Sequence, residues 1–211
     1  MRSMTPMPGN PWPHDMVLYI DDDHVLEDLL WVRHALRLAP VGDEVPPAIW
    51  NGPALPDEAL SASQAAAAAS LWLDAWHERI AGLIAQDERR ASPEFVRMAS
   101  DPAVSQLELE RAIRKLSGST RWPRTPEQSE AWREPLSAWR DSLHEHAHER
   151  DPEREIVGVT AAAWRRGLEH IIELPIVGEY TRTLSHRTLM VTSTTRADPE
   201  AYARALESFA L

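Results

Sequence analysis

The residues of this chain best suited to chemistry are carboxylates and imidazoles, and they fall into three groups. Asp21, Asp22 and Asp23 stand together directly after an apolar run at residues 16–20 and directly before a strongly apolar helical pattern. Carboxylates at the handover from a strand to a helix N-terminus suit a divalent metal or a phosphoryl group, which makes these three the candidate catalytic residues. The same residues also have a plain structural use. An aspartate at the first position before a helix accepts from orphan backbone N–H groups, and negative charge complements the positive end of the helix dipole.

The second group is the run His144-Glu145-His146-Ala147-His148-Glu149. On a helix, His144 and His148 are separated by four residues, and Asp141 precedes His144 by three, so Asp141, His144 and His148 share one face. Two imidazoles and a carboxylate on one face are candidate metal ligands for zinc or another divalent ion. His146 points instead towards the apolar sector. The order His-Glu-x-x-His of zinc peptidases is absent. A solvated helix end with histidines near the negative pole of the dipole accounts for the same residues. No other cofactor is expected.

The third group is scattered. His170 and Glu173 are three apart in what reads as a helix, and His186 sits near a turn. They join Asp21 to Asp23 in one site only if the segments that carry them are neighbours. Arg182, Arg187 and Arg196, among serines and threonines, are suited to phosphate by their forked guanidinium groups. No glycine-rich phosphate loop or dinucleotide fingerprint accompanies them. Ser185 and His186 are adjacent, which on a strand sends them to opposite faces, and no Gly-x-Ser-x-Gly elbow exists.

Val17-Leu18-Tyr19-Ile20-Asp21-Asp22-Asp23 resembles the opening of a response-regulator receiver domain. That likeness covers under a tenth of the chain. A receiver also implies a third-strand aspartate, a Thr/Ser strand end and a late lysine. The only lysine, Lys115, lies in a helical pattern. The receiver reading is therefore set aside.

The elements that must position these groups follow from periodicity and punctuation. Residues 16–20 predict a strand buried on both faces, and Asp23 then caps a helix that runs to residue 38 before Pro40 and Gly42. The proline-rich residues 39–56 are a loop. A helix over 57–86 carries an alanine run and then Trp72, Trp76 and Ile80 on one face, after which residues 87–90 read as a charged link. Short helical pieces follow Ser92-Pro93 and Asp101-Pro102, each a cap before proline. Residues 125–150 form a helix with a kink or break at Pro135, and Trp132, Leu136, Trp139 and Leu143 face the core. Thr160 caps a helix closed by Pro175. Residues 177–194 alternate as a strand pair, and Asp198-Pro199 opens a terminal helix.

Composition narrows the function. The chain has 211 residues, 43% of them hydrophobic, with nine tryptophans and no cysteine. Disulfides, thiolate metal sites and a cysteine nucleophile are excluded. The net charge of −11 disfavours nucleic acid and anionic lipid, which both require a positive footprint. No run approaches the roughly 20 apolar residues of a membrane span. Residues 1–13 hold four prolines and no apolar leader segment, so they read as a flexible arm before one globular domain over 14–211, in a cytoplasmic protein.

The expectation is a predominantly helical α+β fold. Its small sheet combines the strand near 16–20 with the C-terminal hairpin near 177–194, under a cover of helices. The expected function is that of an acidic intracellular protein-binding or inhibitor protein, like an immunity protein that neutralises a basic partner. The alternative is a metal-assisted enzyme that uses Asp21 to Asp23 with histidines brought from elsewhere.

Overall fold

The structure, a computed structural model, describes residues 11–42, 44–47, 49, 60–90, 92, 130–147 and 151–209, without the side chains of 130–133 and 144–147. It is a small mixed sheet between helices. In chain order, β1 (Tyr19–Asp22) leads into α1 (His24–Ala35), followed by α2 (Ala62–Arg90) and α3 (Glu130–Ala147). Then come α4 (Pro152–Glu155), α5 (Val157–Arg165), β2 (His170–Leu174), β3 (Thr181–Thr183) and β4 (Thr188–Thr192). The helices α6 (Ser193–Ala197) and α7 (Pro199–Ser208) close the described chain.

The sheet order is β1-β2-β4-β3. β1, β2 and β4 are parallel, and β3 returns antiparallel on β4 as a hairpin. Alternation along the strands, with the register His170↔Thr188 and Tyr19↔His170, divides the residues between two faces. Tyr19, Asp21, His170, Ile172, Leu174, Thr188 and Met190 share one face. Its apolar members pack with Leu26, Leu29 and Leu30 of α1, Trp72, Trp76 and Ile80 of α2, and Leu136 and Trp139 of α3. On the other face Ile171, Leu189 and Val191 pack with Ala161 and Ala163 of α5 and with Tyr202, Ala205 and Leu206 of α7.

The α+β architecture agrees with the sequence reading, and so do the capped start of α1, the hairpin and the terminal helix. Four elements differ, one of them α5, which begins at Val157, so that Thr160 does not cap it but lies inside it and donates to the Ile156 carbonyl. The ladder of β1 begins at Tyr19, not at residue 16, and takes in two of the three acids. Met16 and Leu18 are buried as an extended lead-in, whereas β1 is an edge strand with Tyr19, Asp21 and Asp22 exposed. The strand buried at every position is instead β4, and beside it the central strand β2 lies in a segment whose periodicity reads as helix. α5 stops at Arg165, and Gly167 turns the chain at φ +111°, a conformation available to glycine at low cost. Ile171 and Ile172 then enter the sheet, because the run Leu168, Ile171, Ile172 fits either period. Finally, α2 does not end near residue 86. It runs to Arg90, so residues 87–90 are helical.

α3 continues through Pro135 without a break. Trp12, in the proline-rich arm, packs against the second core, while residues 1–10 and the helical pieces read over 93–118 lie outside the described residues. Among the described residues, no helix is long and apolar enough to cross a membrane.

Candidate functional site

The extra turn of α2 walls a cleft among the described residues. Its core-facing stripe is apolar through Trp72, Trp76 and Ile80, then continues at helical spacing as Leu83, Gln86, Asp87 and Arg90. This polar end of the stripe lies over the sheet where Asp21, His170 and Thr188 project. Between them is a cleft of about 510 Å³, with Asp22, Asp23 and His24 at the start of α1 completing its wall. A second, smaller hollow of about 290 Å³ adjoins Arg33, His34 and Arg37 at the end of α1. Arg33 is already committed there, donating to the carbonyl of Pro47 at 3.2 Å and lying over the Trp72 ring.

The three acids separate into different roles. Asp23 is structural. Its Oδ1 accepts from the Leu26 amide at 2.9 Å, capping α1, and from Arg79 Nε at 3.1 Å. Arg79 Nη2 donates to the other oxygen, so the pair is bidentate and both residues are 9% exposed. That arrangement removes Asp23 from the catalytic candidates, since its lone pairs are consumed in holding α1 to α2. Asp21 and Asp22 are exposed at the cleft.

The sequence condition for a composite site is met for one histidine. β1 and β2 are neighbours, and His170 stacks on Tyr19 with ring centroids 5.0 Å apart, on the sheet face that carries Asp21. It does so from a strand, not from the helix expected. Burial first, then the charge of Arg90, lowers the His170 pKa below its ordinary value, against the opposing pull of Asp87, Asp21 and Glu169. The shift favours the uncharged ring. Glu173 does not join it. It points to the other face and pairs with Arg196 at 2.6 Å. His186 is an exposed residue of the hairpin turn and does not line the cleft.

Asp87 anchors the far wall, accepting from Ser185 Oγ at 2.6 Å and from Thr188 Oγ1. Gln86, 8% exposed, lines the cleft with no side-chain hydrogen-bond partner among the described residues. Sequence reasoning passed over Arg79, Gln86, Asp87 and Arg90. The available signal was a polar continuation of the apolar stripe of α2, hidden once the helix was ended too early.

The proposed arginine cradle does not form. Arg182 pairs with Glu44 at 2.9 Å, Arg187 with Glu169, and Arg196 with Glu153 and Glu173. Of the metal candidates, Asp141 is exposed on α3, while the His144 side chain and all of His148 lie outside the described residues. Among the described residues, no three His, Asp or Glu side chains are grouped to hold a metal ion. Comparison with protein-family models, with curated proteins and with solved structures gave no match for this chain.

Proposed function

We propose that this protein acts by binding a basic protein partner, as an acidic binding or inhibitor protein of the cell interior. The observation that carries the reading is the charge balance of the cleft. Asp23 and Arg79 neutralise one another, which leaves Asp21 and Asp87 against Arg90 in a hollow beside an exposed edge strand. Such a hollow attracts cationic groups and rejects anions, and the −11 charge of the whole chain extends that field to steer a basic partner on approach. The test is affinity capture from the native host's extract at low and high salt, with the Asp21→Asn/Asp22→Asn double variant alongside. The expected result is one stoichiometric basic protein, released by salt and retained poorly by the variant. Capture indifferent to both salt and the substitutions would refute the reading.

A metal-assisted enzyme is the second reading, and His170 favours it. A neutral imidazole beside a carboxylate is equipped to take a proton. That reading expects a divalent metal to raise the melting temperature, a chelator to reverse the rise, and the Asp21→Asn/His170→Gln variant to show neither.

A further inference from the structure

We propose that the cleft is a guanidinium pocket, which receives one arginine side chain between the Asp21 carboxylate and the Gln86 amide. The proposal rests on the binding reading above and names the group that the partner inserts. Its first support is Gln86. An amide that is 8% exposed, faces a cleft and has no partner among the described residues leaves a hydrogen-bonding group waiting for an occupant. Its polar atoms open into the cleft and are not sealed from solvent, so an incoming donor meets an amide that no described protein group occupies.

The second support is placement. α2 runs against the direction of β1, because Arg79 meets Asp23 at one end while Asp87 bonds Thr188, level with Tyr19 and His170, at the other. With a rise of about 3.3 Å per strand residue and about 1.5 Å per helix residue, Asp21 lies level with the turn that holds Leu83 and Gln86. A carboxylate and an amide therefore line the same space, one from the sheet and one from α2. Leu83 and Ile172 supply an apolar floor.

The third support is the kind of cation this geometry suits. A guanidinium is flat, binds a carboxylate through two parallel N–H bonds and has further N–H groups left for a second acceptor on the opposite side. It is also less strongly hydrated than an ammonium, so it enters a half-enclosed hollow at lower desolvation cost. A lysine ammonium would meet Asp21 as a point charge, without the paired parallel bonds of a guanidinium.

The experiment titrates Nα-acetyl-arginine amide, and separately Nα-acetyl-lysine amide, onto the isotopically labelled full chain. The Gln86 side-chain amide and the His170 ring are followed by NMR. The arginine probe should shift both signals saturably, about fivefold or more tighter than the lysine probe. Asp21→Asn should weaken it about tenfold, and Gln86→Met should weaken it by less. Gln86→Glu, which adds a second carboxylate, should tighten it. That variant protects the test from a mere folding defect, because a structural role for Gln86 predicts no gain. Equal binding of both probes, or no shift at Gln86 and His170, overturns the proposal. If no shift occurs while the chain still captures a basic protein, the pocket falls and the binding function stands. If the arginine probe binds but no basic protein is captured, the pocket stands and the protein-partner reading falls.

Discussion

Replacing Asp23 by alanine tests most directly whether this acid belongs to the framework or to the chemistry. The substitution removes two things at once. One is the N-cap of α1, worth about 1 kcal/mol. The other is the partner of Arg79, and leaving one member of a buried ion pair uncompensated costs about 3–5 kcal/mol. Both side chains are about a tenth exposed and the cleft admits water, so the lower end applies and the sum is about 4 kcal/mol. That is a large part of the roughly 5–15 kcal/mol by which domains are stable. Asp23→Asn keeps an acceptor for the Leu26 amide and so isolates the charge, at about 3 kcal/mol. Urea unfolding followed by tryptophan fluorescence is the assay, since Trp72 and Trp76 are fully buried on the helix that carries Arg79. Adding Arg79→Met to Asp23→Ala should recover about 1–3 kcal/mol, because no buried charge is then left alone. A loss under about 0.5 kcal/mol for Asp23→Ala, or simple additivity in the double variant, would refute the structural assignment.

Further expectations concern the second core, the cleft histidine and two surface positions. Burial pushes the Glu153 pKa up, but hydrogen bonds and charge from Arg196 and the bond from Tyr202 outweigh it, so the net shift is downward. Its stability contribution is therefore complete above the ordinary carboxylate value of about 4.3 and is lost as pH falls through the lower folded value. Glu153→Gln should flatten the acid limb of a stability-against-pH curve and cost about 3 kcal/mol at neutral pH by urea titration. For His170 the folded pKa is also depressed, here for a base. Its contribution is complete above the unfolded value of about 6.5 and falls away below it, and a ring titrating at or above 6.5 by NMR would contradict the burial. Gly167→Ala should cost about 1–3 kcal/mol, because φ is +111° and the added methyl would stand 3.1 Å from the His186 carbonyl oxygen. Asp141→Ala, at an exposed position of α3, should change the melting temperature little, and a large drop on chelation that this variant abolishes would instead establish a metal site.

Much of the local structure was legible because it depends on nearest neighbours. Asp23 announces α1, Asp198-Pro199 announces α7, and the alternation after residue 177 announces a hairpin; each signal lies within a few residues of the element it starts. Trp72 and Trp76 on one helical face were legible as core for the same reason. β2 was not legible, because Ile171 and Ile172 satisfy a helix and a strand equally, and only partners on both sides decide between them. Those partners, residues 19–22 and 188–192, are far away in the chain.

The candidate site divides along the same line. From the sequence alone came the presence of exposed acids at the end of the first strand, the excess of negative charge and the exclusion of thiol chemistry. Those are properties of residue type. Tertiary structure decided which acid is consumed, since the Asp23–Arg79 pair spans 56 residues and no local pattern foretells it. It likewise brought His170 to Asp21 through strand pairing, and it turned Gln86 and Asp87 inward by carrying α2 one turn further across the sheet. A cleft is the space between elements, and its walls are set by how those elements pack.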